Sequence, residues 1–279
     1  MPLVSVIIPT YNRAALLERA IGSVLCQTMR DWECIVVDDA STDGTEDVLR
    51  TRGLLPRVKY VRLPLHKGVS AARNVGATAA AGAWLAFLDS DDEWHAPKLE
   101  RQMLWHERNP SYRIFQTREI WVRRGGRVNP PASHEKRHGY IFEDSLARCM
   151  VTPSSVVMDK ALFFTTGGFN ESFRACEDYD LWLRITCEHP VGLVDEYLLT
   201  RYGGHSDQLS ATVPALDRFR IRSIEDILAS GKLSAAQAGR ARTTLVKKAR
   251  IMANGCKKRG NGEDYERYSR IAGTFAPGG

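Results

Sequence analysis

"AWLAFLDSDDEW", residues 83–94, passes from an apolar run straight into four carboxylates, Asp89, Asp91, Asp92 and Glu93, separated only by Ser90. A run of this length reads as a buried strand whose end reaches the surface. Like charges crowded at one point destabilise a fold unless something neutralises them. One reading is a solvated loop that caps the helix beginning near Pro97. The other is a divalent-cation site, because clustered carboxylate oxygens suit magnesium or manganese. D-x-D alone is a weak motif, so the companions of this stretch must decide.

Three earlier runs have the same character: "LVSVII" (3–8), "ECIVVD" (33–38) and "VKYVRL" (58–63). Between the first two, Leu16, Leu17, Ala20, Ile21, Val24 and Leu25 recur at helical spacing. The alternation predicts an α/β fold of βαβ units, a mostly parallel sheet flanked by helices. Ligands in such sheets bind beyond the carboxyl ends of the strands. "PTYNR" (9–13), "DDASTDGT" (38–45) and "DSDD" (89–92) all stand at such ends and converge on one rim. Their agreement favours the cation reading. Further along, the pattern predicts a helix over 97–108, a hairpin turn at Gly125-Gly126, a helix near 140–150, strand 154–158, helix 178–188 and strand 191–199.

With 43% hydrophobic and 26% charged residues in 279, this is the composition of a globular chain, neither disordered nor low in complexity. The net charge of +6 is uneven: residues 1–214 carry −2 and residues 215–279 carry +8. A basic tail points to an anionic surface nearby, and with no recognition motif in the chain nucleic acid is not an expected partner. Six scattered cysteines without a C-x-x-C pair, and an N-terminus "MPLVSVIIP" without a basic segment, predict a cytoplasmic protein with neither export signal nor anchor. "LSAAQAGRARTTLVKKARIMANGCKKRG" (233–260) reads as a basic helix whose apolar face is largely alanine. Packing on the core is its first reading. Peripheral contact with anionic lipid at the inner membrane face is its second, because membrane-surface helices usually bury larger residues.

Several clusters carry chemistry. "VVDDASTDGT" suits nucleotide recognition, with a plain Asp/Ser/Gly turn as the alternative. In "HKGVSAARNVGA" (66–77), Arg73 and Asn74 lie on a helix of small residues; Arg73 suits a diphosphate, a base or a salt bridge. "CEDYDLWLR" (176–184) sets Glu177 and Asp178 at a helix start, where acidic residues complement the dipole or a rigidly held general base could sit. "HEKRH" (134–138) matches the zinc-protease pattern, but it follows Pro130-Pro131 and stops at Gly139, so it reads as a basic loop.

In order, "VSVIIPTYNR", "IGSVLCQT", "ECIVVDDASTDGT", "GVSAARNVGA", "AWLAFLDSDDEW", "GGFNE" and "EDYDLWLR" resemble a family 2 glycosyltransferase with the GT-A nucleotide-diphospho-sugar transferase fold, over about residues 3–202. The resemblance implies inverting transfer of a sugar from a nucleoside diphosphate donor, usually UDP-linked, assisted by a divalent cation (Mn2+ or Mg2+) bridging both phosphates. By position it implies Asp39 on the base, Pro9, Tyr11 and Arg73 lining the nucleotide pocket, Asp89 toward the ribose and sugar, Asp91 on the metal, and Asp178 as the base that deprotonates the acceptor. Asp92 and Glu93 are left to cap and orient the following helix. Arg201 and His205, in "RYGGHSDQLS", resemble a late loop that closes over the diphosphate, and its glycines would let it move.

The expected organisation is a transferase domain over 1–214, with a nucleotide-binding half (1–95) and an acceptor-side half (96–214), followed by a basic helical extension over 215–279. The acceptor could be a glycan, a lipid-linked sugar or a protein, in cell-surface polysaccharide or glycan assembly. A non-catalytic sugar-nucleotide-binding module is a rival reading, against which Glu177, Asp178 and the full D-x-D speak. A nucleotidyltransferase is another, but its glycine-rich phosphate loop is not matched by "PTYNR".

Overall fold

The computed structural model describes residues 2–204 and 212–275. The first half has the predicted alternation: β1 (Val4–Thr10), α1 (Ala14–Leu25), β2 (Trp32–Asp38), α2 (Thr45–Thr51), β3 (Lys59–Arg62), α3 (Val69–Ala79) and β4 (Trp84–Phe87). These four strands are mutually parallel, in the order β3-β2-β1-β4. Both faces are covered, and alternate residues serve opposite cores. Ile7, Ile35, Val37, Leu85 and Phe87 pack with Ala72 of α3 on one side. Val4, Val6, Ile8, Val36 and Ala86 pack with Leu17 and Ile21 of α1 on the other. A parallel sheet buried on both faces therefore reads as continuous apolar runs rather than as alternation.

The second half adds β5 (Glu93–Trp94), α4 (Lys98–Arg108), β6 (Ile114–Arg123), β7 (Gly126–Val128), α5 (Phe142–Ala147), β8 (Val157–Asp159), α6 (Lys160–Thr165), α7 (Glu177–Thr186) and β9 (Gly192–Gly203). The sheet continues as β4-β8-β6-β9-β5, with β7 beside β6. Here it is mixed: β8 runs antiparallel to β4 and β6, and β5 antiparallel to β9. The predicted strand at 154–158 starts only at Val157, because residues Pro153–Ser155 form a 3-10 turn that delivers Ser154 to the site. Of the "HEKRH" segment only His134 belongs to a helical turn, the 3-10 turn Ala132–His134, and the chain leaves it at Glu135, so its two histidines do not share a helix face.

Past residue 214 come α8 (Asp217–Ala229), α9 (Ala235–Lys258) and α10 (Gly262–Thr274). Helix α9 opens with a capping box between Ser234 and Gln237. Its small face is used: Ala241, Leu245, Ala249 and Ala253 pack with Phe142 and Leu146 of α5, Tyr179 and Leu183 of α7 and Ile224 of α8. Alanines suit this role because they let helices approach closely. The extension thus buttresses α7, the helix that carries Glu177 and Asp178. Among the described residues no helix is long and apolar enough to cross a membrane.

Candidate active site

The rim loops after β1 and β2 are tied together by side chains reaching across to backbone. Asn12 Oδ1 accepts from the Thr42 N–H at 2.7 Å, the Asn12 N–H donates to Ser41 Oγ at 2.9 Å, and Asp43 Oδ2 accepts from the Ala14 N–H at 2.9 Å. Asn12 (φ 50°) and Ala40 (φ 64°) both adopt left-handed backbone to make these turns. Pro9 lies buried inside β1, opposite Val37. Asp38 is fully buried and accepts from Tyr60 Oη at 2.5 Å and the Ser41 N–H at 2.8 Å. Asp39 organises the loop before α3, accepting from the Lys67 N–H (2.8 Å) and Gly68 N–H (2.7 Å), with His66 Nδ1 at 2.8 Å. The Tyr11 ring stacks on His66 with centroids 3.9 Å apart and is exposed.

Helix α3 lies unusually close to β1. A Cβ at Gly76 would fall 2.4 Å from Ile7 Cγ2, so only glycine permits this approach. The approach places Arg73 beneath the rim, 3% exposed, with Nη2 2.7 Å from Asp89 Oδ1 and Nη1 2.8 Å from Glu177 Oε1. Its guanidinium carbon lies 4.9 Å from the Phe169 ring centroid, and neighbouring Asn74 holds Phe169 by both backbone groups. Arg73 is therefore a buried strut between two carboxylates. Burial alone would push the Asp89 carboxyl up, but Arg73, with Arg201 and Arg13 further away, holds it below the ordinary range.

The remaining carboxylates of "DSDDEW" are not equivalent. Asp91 Oδ2 lies 3.0 Å from Arg13 Nη1, and its carbonyl accepts from Arg19 Nη2 at 2.5 Å. Asp92 is buried and accepts from the Tyr202 N–H at 3.1 Å; burial, then Asp91 and Asp89, push its carboxyl well up. Glu93 accepts from Tyr202 Oη at 2.8 Å. Asp92 and Glu93 thus do not cap the next helix, contrary to the sequence expectation. Helix α4 has Pro97 at its N-cap and no side-chain cap, whereas β5 pairs with β9 and brings both carboxylates to Tyr202.

Asp178 is half-buried in the first turn of α7, and Cys149 Sγ donates to its Oδ2 at 3.3 Å. Burial and Asp178 push the Cys149 thiol well up, so it remains a protonated donor. Arg201, on β9, has Nη1 3.7 Å from Glu119 Oε1 and is held charged by Glu119, Asp92, Asp89 and Asp178 against the effect of burial. Its field spans the D-x-D carboxylates and Asp178. Glu119 itself is buried, 3.2 Å from Lys136 Nζ, and accepts from Trp121 Nε1 at 2.7 Å. His205 lies outside the described residues.

The structure thus brings Asp89, Asp91, Arg201 and Asp178 to one rim, with Arg73 beneath it and Asp39 and Tyr11 in the neighbouring loops after β2 and β1. Sequence reading did not single out Arg13, although "PTYNR" ends on it, nor Ser154, which accepts the Asp89 N–H at 3.1 Å. It also missed the Glu119–Lys136 pair, for which no local motif exists. Asp89, Asp91 and Asp92 bring hard carboxylate oxygens close together at this rim, and these are the donors a divalent cation takes. The residues fit such an ion through Asp91. Among the described residues no group of three His, Cys, Asp or Glu could hold a metal unaided, so the rest of its shell would come from elsewhere.

The sequence profile of the family described as Glycosyl transferase family 2 matches residues 5–161. An uncharacterized glycosyltransferase of Rickettsia conorii is 32% identical over 195 residues, 70% of this chain but only 32% of that protein. The chain thus matches about a third of that relative's length. UDP-Glc:alpha-D-GlcNAc-diphosphoundecaprenol beta-1,3-glucosyltransferase WfgD of Escherichia coli is 34% identical, covering 69% of this chain and 73% of that one. Among solved structures, S. aureus TarS 1-349 in complex with UDP-GlcNAc superposes with a TM-score of 0.78 at 20% identity, over 98% of this chain and 80% of that chain. That coverage shows that the fold likeness includes the helices after residue 214, which the sequence motifs did not reach.

Proposed function

This chain belongs to glycosyl transferase family 2, and from that premise we propose that it moves a sugar from a UDP-linked donor to an acceptor hydroxyl with inversion at the anomeric carbon. The observation that carries the reading is the convergence of Asp89, Asp91 and Arg201 with Asp178 on one rim, braced from beneath by Arg73. Tyr11 offers an exposed ring to the base, and Asp39 holds the adjoining loop. Asp178 takes the proton from the acceptor hydroxyl; the Cys149 thiol and the rigid first turn of α7 hold its carboxylate in place. A single base acting on an in-line acceptor gives one displacement and hence inversion.

Arg201 and Arg13 supply positive charge where the departing diphosphate gains negative charge. A divalent cation held through Asp91 would add Lewis-acid stabilisation of the same leaving group. Arg73 does not reach the donor in this reading; it fixes Asp89 and Glu177 relative to each other.

The E. coli relative named for a diphosphoundecaprenol-linked acceptor supports a lipid-linked glycan as acceptor and cell-surface polysaccharide assembly as the setting. Such an acceptor lies at a membrane, and the +8 charge after residue 214 suits an anionic surface there. The small face of α9 is consumed in packing, so contact would be electrostatic and sensitive to salt.

The decisive experiment screens UDP-sugars for UDP release with and without Mn2+. It then determines the anomeric configuration of the product by NMR. Retention at the anomeric carbon would defeat the single-base mechanism, and no UDP release with any donor would defeat the reading as a whole.

A further inference from the structure

Asp91, the carboxylate assigned to a divalent cation, already has a cation beside it. Arg13 Nη1 lies 3.0 Å from its Oδ2, with the Arg13 side chain 19% and the Asp91 side chain 9% exposed. The pair is mostly withdrawn from water, unlike a loosely held surface bridge. Arg19 fixes the same segment, donating to the Asp91 carbonyl while its guanidinium carbon lies 3.7 Å from the Tyr202 ring centroid. Asp91 is therefore presented in one place with its charge neutralised.

A divalent cation arriving alone meets a poor site. Asp89 is committed to Arg73, and Asp92 is buried against the Tyr202 N–H. No set of three side-chain ligands exists among the described residues. A diphosphate changes both sides of this balance. It supplies hard oxygens to complete a cation's shell, and it offers a guanidinium a partner that matches its fork of donors. Arg13 stands in the loop after β1, at the N-cap of α1, on the rim where the donor reading places that diphosphate.

We propose that Arg13 is the resident counter-ion of Asp91 in the donor-free protein and transfers to the donor diphosphate on binding, so that divalent cation and donor bind cooperatively. The inference rests on the nucleotide-sugar reading above. Its consequence is that the protein does not hold the cation tightly between turnovers. Because coupling between two ligands is reciprocal, the factor by which UDP tightens Mn2+ must equal the factor by which Mn2+ tightens UDP.

The test is calorimetric titration of the full chain with MnCl2, with and without saturating UDP, and with UDP in both Mn2+ conditions. Free Mn2+ is followed independently by its paramagnetic resonance signal. In the wild-type chain UDP should raise Mn2+ affinity by about tenfold or more. Arg13→Gln should bind Mn2+ alone about tenfold more tightly than wild type and lose the share of the coupling that Arg13 carries, leaving the share due to the diphosphate oxygens, whereas Arg13→Lys should lie between the two. Equal Mn2+ affinities of wild type and folded Arg13→Gln without UDP would overturn the proposal, as would a wild-type Mn2+ affinity indifferent to UDP. If Arg13→Gln does not fold, Arg13→Lys carries the test, and undiminished coupling in it overturns the proposal. Failure of the donor reading is seen separately, as a wild-type chain that binds no UDP in either condition.

Discussion

Asp89, at the end of β4, and Glu177, in the first turn of α7, are joined through opposite ends of one buried guanidinium, with Arg73 Nη2 2.7 Å from the first and Nη1 2.8 Å from the second. The link couples the "DSDD" loop to the helix bearing Asp178. Two stretches far apart in sequence are thereby held in register by a residue from a third element, α3. Burial pushes the Glu177 carboxyl up while Arg73 opposes it, so that its charge depends on this one partner.

Removing the strut should be severe. Arg73→Met leaves the buried Glu177 carboxylate and the half-buried Asp89 without their shared partner and is expected to lower unfolding free energy by about 3–5 kcal/mol, the usual consequence of breaking a buried pair. Adding Glu177→Gln to Arg73→Met should recover part of that loss, because one uncompensated charge is gone. Urea denaturation of the two variants checks both values, and simple additivity would contradict a direct coupling.

The role of Asp178 separates chemistry from binding. Asp178→Asn keeps the size of the side chain and its place in α7 but removes the proposed base, so transfer should fall by about 10²–10⁴-fold. UDP affinity measured by calorimetry should stay close to wild type. A variant with near-normal transfer would assign proton removal to another group.

Acid should destabilise the protein through Glu119. Burial alone would raise its carboxyl, but Lys136 and then Arg201 outweigh burial and bring it down from 4.5 to about 2. A carboxyl depressed in the folded state stabilises the fold above its unfolded value and loses that contribution as pH falls toward the folded value. The shift corresponds to roughly 3 kcal/mol, lost between about pH 5 and pH 2. Unfolding free energy measured across this window should fall less steeply in Glu119→Gln, even though that variant starts from a lower stability with Lys136 left unpaired.

The close approach of α3 to β1 predicts intolerance at Gly76. A Cβ added there meets Ile7 Cγ2 at 2.4 Å, inside any real contact distance. Gly76→Val should destabilise by about 1–3 kcal/mol through overpacking. The helix can relieve the clash only by moving outward, which would also loosen Arg73, so Arg73-dependent coupling should weaken in the same variant. An unchanged denaturation midpoint would show that α3 has room to spare.

Much of this was legible from residue order. The apolar runs that become β1 to β4 are found within a residue or two of their expected ends, because β1, β2 and β4 are buried on both faces and need nearly unbroken apolar sequence, while β3 at the sheet edge is shorter and part-exposed. The polar clusters after β1, β2 and β4 lie on one rim because parallel strands point their carboxyl ends the same way. The hairpin at Gly125 and the helix bearing Asp178 were also readable, from turn chemistry and from helical periodicity.

What a side chain does once it arrives depends on distances the sequence does not encode. Arg73 was expected to line the nucleotide pocket; the glycine-permitted approach of α3 sets it below the rim between Asp89 and Glu177, contacts that no local pattern encodes. Asp92 and Glu93 were expected to cap α4, yet the short strand β5 pairs with β9 and turns both toward Tyr202. The alanine-rich helix after residue 233 carries too few large residues to announce its partners, and only packing shows that it supports α7. Local pattern determined the strands, the rim and the class of chemistry, because those follow from neighbours in the chain. Charge pairing among Arg13, Arg73, Arg201 and the carboxylates was decided by the tertiary structure, because it follows from which elements meet and how closely.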